Sequence, residues 1–381
     1  MKKAESRFLS LTKGTALLAG TTIGAGVLAI PYAISQSGYW IGMIHLVAIG
    51  VAMIVLNLFL AEISLRTKGT QQLPGLAERY LGKDAKVLTF YVMLSLIYGA
   101  LTAYMMGSGQ ILAELTGLPV DIMGLLFFFF VALGVYFGVK AVSRIEMLFV
   151  IGLVFIVIGI ALRAMQGDGL QWESLMEGPE TGWQNIFIPY GTVLFSYFGF
   201  VAVPEMEKIM NRYRQDMQLA IILGLSIPIM LYILFTTVVL GVAGGDMNEV
   251  ATVALGRALG PEVQYIANIF GLIAMFTSSL SLALSVISIY KDEFEVPHTS
   301  AVMVTLLPPI TIVLAGVGTF FEFISFAGAV AGSILGILVV FMYWQAKTDG
   351  DTIPEFSLGR MRWAGIGLIC LMLLGMVSVV M

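Results

Sequence analysis

The sequence predicts an all-α integral membrane protein with eleven transmembrane helices. They form a 5+5 inverted repeat with broken helices one and six, plus one extra helix. Three observations predict this. The 381-residue chain is 59% hydrophobic and only 12% charged, where soluble domains carry about 25% charged residues. Its apolar residues gather into long continuous segments. Two of those segments share an interruption: Gly26-Val-Leu-Ala-Ile-Pro31 and Gly199-Phe-Val-Ala-Val-Pro204 each run from a glycine to a proline five steps on.

A helix needs about 20 apolar residues to cross the hydrocarbon core, and the segments that qualify run roughly 12–36, 40–64, 88–113, 121–139, 144–165, 185–206, 217–243, 263–289, 300–317, 321–344 and 361–380. Long continuous runs exclude a barrel, whose strands are short and alternating. The first repeat is then 1–165, the second 185–344, and 345–381 supplies a loop and the eleventh helix. With the N-terminus inside, every one of the 20 basic residues except Arg163 and Arg257 falls on the cytoplasmic side, as the positive-inside rule requires. The C-terminus is then outside, and the loop 166–184, with Asp168, Glu173, Glu177 and Glu180, is external and acidic. The opening MKKAESRFLSLTK leads into the first segment without a small-residue cleavage site, so no signal is expected to be removed. The expected location is the cell (plasma or inner) membrane. The loops near 66–86, 166–184 and 244–262 are too short to fold alone.

Several function classes drop out. A net charge of −4 gives no attraction for nucleic acid. Cys370 is a lone cysteine, and His45 and His298 lie far apart, so neither an internal disulfide nor a metal cluster is expected. Clustered His, Asp or Cys for an enzyme are absent, as is a repeated filter for a channel.

The breaks carry the functional argument. Unpaired backbone is tolerated in a membrane only where it lines a cavity or is buried in protein. Small residues in GAG also let helices pack closely, but recurrence in the sixth segment favours corresponding breaks around a midplane site. Gly24, Ala25 and Gly26 then form a hinge whose free N–H groups, with the positive end of a half-helix starting near Val27, suit a carboxylate. In LFSYFGF, carbonyls near Phe195 and Ser196 suit an ammonium. A site with both describes an α-amino acid.

The eighth segment brings Thr277, Ser278, Ser279, Ser281, Ser285 and Ser288 into one span. Such hydroxyls often only bond the preceding turn. The more specific reading joins the Thr277 and Ser278 hydroxyls and the Ala274 carbonyl to the carbonyls of Gly20 and Ile23. That neutral oxygen shell suits Na⁺ rather than Mg²⁺ or Ca²⁺. Buried acids are the other ion-coupling candidates. Glu62 and Glu205 are expected to accept hydrogen bonds or sit near headgroups, and Glu322 is a candidate gate. Tyr98 and Thr102 share a face of helix three, with Tyr104 elsewhere on it.

These residues resemble the amino acid/polyamine/organocation superfamily, which has the leucine-transporter fold. AGTTIGAGVLAIPYA, the stretch Leu76 to Leu115, and FSYFGF are similar to the hydroxy/aromatic amino acid permeases. FAGAVAGSILGIL (Phe326 to Leu338) resembles tenth helices of amino acid/auxin permeases. The resemblance covers essentially the whole chain. It implies that Gly24, Ala25 and Gly26 take the substrate carboxylate, that Phe195, Ser196 and Phe198 line the ammonium site, and that Thr277 and Ser278 form a sodium-site hydroxyl pair. It also implies H⁺ as the alternative coupling ion. The expected substrate-binding set is Thr22, Gly24, Ala25, Gly26, Tyr98, Thr102, Phe195, Ser196 and Phe198, and the ion set is Gly20, Ile23, Ala274, Thr277 and Ser278. The expected function is symport of neutral, bulky or aromatic L-amino acids by alternating access. The partners are that substrate and the lipid bilayer, with oligomeric state open. A non-transporting amino acid sensor is the alternative of another class.

Overall fold

The computed structural model describes residues 2–69, 71–137, 185–244 and 246–377, with helical fragments at 152, 154–159, 162 and 175. The expected fifth segment and the acidic loop 166–184 lie largely outside the described residues, as do Lys140, Arg144 and Arg163. Among the described residues the regular structure is helical throughout.

The first segment is two helices at an angle. Helix α1 (Lys2–Thr22) ends, a 3-10 turn covers Ala25–Ala29, and α2 (Ile30–Ser37) resumes; the two halves are bent by 46°. Pro31 sits in the first turn of α2, where its missing N–H costs nothing and its φ suits a helix start. Gly38, at φ 93°, turns the chain into α3 (Tyr39–Arg66). A short α4 (Leu73–Leu81) precedes α5 (Lys83–Thr116) and α6 (Val120–Tyr136).

The sixth segment repeats the pattern of the first. Helix α7 (Ile188–Ser196) stops, a 3-10 turn covers Phe200–Ala202, and α8 (Val203–Ile209) resumes with Pro204 in its first turn. Then come α9 (Met217–Ala243), the short α10 (Ala251–Leu259), α11 (Pro261–Phe294) and α12 (His298–Leu314). The tenth segment is α13 (Phe320–Phe326), a π-helical stretch Ala327–Gly332, and α14 (Ser333–Asp349); α15 (Arg362–Val377) ends the described chain.

Among the described residues five helices are long and apolar enough to cross a membrane, and the bent first segment makes a sixth. α6, α12 and α15 are apolar but only 16–17 residues long. Trp40, Phe129, Phe130 and Ile269 are more than half exposed, as a lipid-facing surface requires. Half of the phenylalanine run turns inward: Phe127 and Phe128 are buried. The two short helices α4 and α10 fall in loops where the sequence signalled none. Helix α9 packs along α1 and α3, whereas α5 packs along α6, α11 and α12. The seam between α7 and the π-helical stretch is backbone against backbone. A Cβ on Gly328 would overlap the Gly191 carbonyl, and one on Gly191 would overlap that of Ser325.

Candidate functional site

The two breaks meet inside the protein. At the first, the helical ladder is redirected. The Gly24 N–H donates to the Thr22 carbonyl at 2.9 Å, the Ala25 N–H to Ser278 Oγ at 3.4 Å, and the Val27 N–H to the Gly24 carbonyl at 3.4 Å. The carbonyls of Gly20, Thr21 and Ile23 therefore lose the i+4 donors a continuous helix would give them. The half-helix does not start at Val27 as the sequence suggested: a 3-10 turn occupies Ala25–Ala29 first, because the i→i+3 pattern tightens the restart.

At the second break the backbone is satisfied locally. The Tyr197 N–H donates to the carbonyls of Val193 and Leu194, and the Phe198 N–H to that of Phe195 at 3.0 Å. Ser196 Oγ donates back to the Thr192 carbonyl at 2.8 Å.

Glycine allows the breaks to touch. A Cβ on Gly26 would lie 2.8 Å from Ser196 Oγ and 3.0 Å from the Phe195 ring, one on Gly24 3.2 Å from Ser278 Oγ, and one on Gly199 2.5 Å from Thr22 Oγ1. From α9, the fully buried Tyr232 hydroxyl reaches the Thr22 carbonyl and the Ser196 carbonyl, each at 2.9 Å. Sequence reasoning missed Tyr232. The available signal was a phenol in the middle of an apolar span, since a buried hydroxyl needs a partner.

The candidate residues divide on inspection. Thr22, Gly24, Ala25, Gly26, Phe195 and Ser196 are brought together. Thr102 is buried but bonds the Tyr98 carbonyl on its own helix at 2.8 Å. Tyr98 turns away: its hydroxyl donates to the Val304 carbonyl on α12 at 2.7 Å. Tyr104, left out of the expected set, takes its place, with its buried ring edge-on to Phe195 at 6.4 Å. A helix three that both crosses the site and packs on α12 presents one face to each, and i, i+4 spacing alone does not say which. Phe198 lies on Phe200 at 4.6 Å and faces a small apolar cavity with Leu60, Leu73, Met93 and Pro204.

Of the expected ion set, Ser278 reaches the first break, where its Oγ accepts the Ala25 N–H. Thr277 bonds back to the carbonyls of Ile273 at 3.0 Å and Ala274 at 3.2 Å. The acids follow the plainer expectation. Glu62 is fully buried and held by Arg66 at 2.9 Å, Lys347 at 2.5 Å and the Leu358 N–H at 2.9 Å. Glu205 is exposed. Glu322 is not a gate in this arrangement: its side chain and Thr319 cap their own helix reciprocally, the capping-box geometry. Above the breaks, the ring of Tyr32 on α2 meets Phe321 on α13 edge-on at 5.1 Å. Among the described residues no three His, Cys, Asp or Glu side chains converge to hold a metal.

Two interrupted helices thus meet within an apolar bundle with main-chain groups released between them, and the family to which the chain belongs is one of membrane transporters. The chain belongs to the tryptophan/tyrosine permease family, which it matches over residues 8–381. It is 25% identical over 399 residues to the tryptophan-specific transport protein of Pseudomonas aeruginosa, covering 97% of this chain and 93% of that one. It is 23% identical over 364 residues to tyrosine-specific transport system 1 of Haemophilus influenzae, covering 89% of each. Among solved structures it superposes on MhsT, crystallised with L-phenylalanine, with a TM-score of 0.67 at 16% identity, covering 96% of both chains. The fold is therefore that of the leucine-transporter class, and the protein is a multi-pass membrane protein.

Proposed function

We propose that the protein is a symporter for neutral aromatic L-amino acids, working by alternating access with Na⁺ as the coupling ion. The observation that carries this is the meeting of the two breaks, where Gly26 stands against Ser196 and Phe195 and one phenol reaches both backbones. Main-chain N–H groups around Gly24 to Gly26 favour the carboxylate, and the carbonyl side of the second break favours the ammonium. Phe195 and Tyr104 offer ring faces and edges to an aromatic side chain. The named substrates of the relatives, tryptophan and tyrosine, agree with this choice.

The five, five and one arrangement is part of the same reading, and element lengths support it. In each half a short helix ends at a glycine of φ 95° or 94°, Gly82 or Gly260. A 34-residue helix follows, then one of 17 residues. The N-terminus is inside and the C-terminus outside, and the first, second, sixth and seventh segments rock against the third, fourth, eighth and ninth. Sodium is preferred because the oxygens near the first break are neutral, and Glu62 is already committed to two cations.

The test is uptake of labelled tyrosine and tryptophan into proteoliposomes under separate Na⁺ and H⁺ gradients. Accumulation above equilibrium with inward Na⁺ is expected. Binding without accumulation would turn the reading to a sensor, and accumulation driven only by H⁺ would replace the ion.

A further inference from the structure

We infer that the Tyr232 hydroxyl is a positioning group that holds the carboxylate half and the ammonium half of the site in register. The inference rests on the proposed amino acid site. Tyr232 comes from α9, outside both broken helices, and makes no contribution to either helix's own ladder. Its oxygen lies 2.9 Å from the Thr22 carbonyl and 2.9 Å from the Ser196 carbonyl. These are the last helical residues before the two breaks. A phenol has one proton, so the two carbonyls share it: one takes the bond more fully as the other gives it up. A cation seated at the Ser196 carbonyl would leave the proton to Thr22, whose carbonyl also receives the Gly24 N–H. Occupancy of one break is thereby passed to the backbone of the other through a single hydrogen.

The surroundings leave little alternative. Tyr232 is buried, its ring lies 5.1 Å from that of Tyr197, and no water is needed to complete its bonding. The neighbouring Tyr197 hydroxyl and Thr22 Oγ1 are themselves buried without a partner, so neither substitutes for it in bridging the breaks. Removal of the phenol oxygen takes the Tyr232 bond from the Ser196 carbonyl, where an unpartnered buried acceptor is costly, and leaves the Thr22 carbonyl with the Gly24 N–H alone.

The experiment compares two ligands on purified protein: tyrosine, and its analogue lacking the amine, 3-(4-hydroxyphenyl)propanoate. The wild type is expected to prefer tyrosine. Tyr232→Phe is expected to lower tyrosine affinity by up to about tenfold, the upper scale of one neutral hydrogen bond, and to change analogue affinity much less. The preference ratio then collapses. A purely structural role lowers both affinities together and keeps the ratio, which would overturn the inference, as would no change in either. Tyr197→Phe, with no bridging bond to lose, should keep the wild-type ratio. If Tyr232→Phe does not assemble, Tyr232→His replaces it, because its ring N–H is too short to reach both carbonyls; the same collapse is expected. Wild-type protein that binds neither ligand would remove the site reading and this inference with it, whereas a retained ratio in the variant removes the inference alone.

Discussion

The two breaks look alike in sequence and differ in how their backbones are satisfied. Tyr232 from α9 donates to both, at the Thr22 and Ser196 carbonyls, but the first draws on a further neighbour, Ser278 from α11, which accepts the Ala25 N–H. The second is largely self-contained, with Tyr197, Phe198 and Ser196 bonding back to Thr192, Val193, Leu194 and Phe195. A break tied to other helices senses their movement, whereas one closed on itself keeps its shape and presents a fixed surface. The first break is thus the adjustable partner and the second the template.

The largest expected effect tests the contact between them. Gly26→Leu places a branched side chain against Ser196 and Phe195, where a bare Cβ already comes within 2.8 Å. Overpacking of about 3 kcal/mol, the upper end of its usual range, predicts roughly a hundredfold loss of substrate affinity with the protein still inserted, read by binding to purified protein. Wild-type affinity in this variant would sink the contact. Gly24→Leu meets only Ser278 at first contact, so it should do somewhat less.

Next in size is the tie to α11. Ser278→Ala removes the acceptor of the Ala25 N–H and one proposed ion ligand, and Na⁺ affinity should weaken by about 1–3 kcal/mol, roughly five- to a hundredfold. Reciprocal coupling means substrate affinity at fixed Na⁺ falls too, and saturating Na⁺ recovers part of it. Thr277→Ala should cost less, because its hydroxyl is already spent on its own helix. Equal losses would show that Thr277 reorients toward the ion. A binding curve indifferent to replacing Na⁺ by choline would remove sodium altogether.

The template break predicts a small effect. Ser196→Ala loses only a bond to the preceding turn, which is worth little to a helix, so affinity should change less than about threefold. A large loss would make the second break as dependent on its side chains as the first.

The smallest effect is far from both breaks. Arg79 bonds Asp351 at 2.7 Å, and that contact, with the Lys68 N–H, holds the Asp351 carboxyl below the usual range. A depressed carboxylate contributes stability above its unfolded pKa of about 3.9 and loses it as pH falls through the folded value. The pair is solvent-exposed and screened. Asp351→Asn should therefore lower the melting temperature marginally at pH 7, with the difference shrinking as pH falls below about 3.9 and substrate affinity unchanged at pH 7.

Much of this was legible in the chain. Composition and segment length give the helices, and the recurrent glycine-to-proline spacing gives both breaks, because proline restarts each half-helix in its first turn. Charge placement finds Glu62 near a membrane face, though not its partners Arg66 and Lys347. Three things were not legible. The helical face of Tyr98 depends on which neighbour α5 packs against, so Tyr104 was misplaced. Tyr232 was marked only as a phenol in an apolar span, because the main-chain carbonyls it bonds leave no mark in sequence. The short helices α4 and α10 have too few residues for a periodic pattern to stand out from a loop.

The seam between Gly191 and Gly328 has a mechanical consequence. Side chains in contact can change rotamer and absorb a displacement; two backbones in contact cannot. Helix α7 and the π-helical stretch therefore behave as a gear without backlash, and a small tilt of one reaches the other undiminished. A methyl group on either glycine would meet a backbone carbonyl and force the two segments apart.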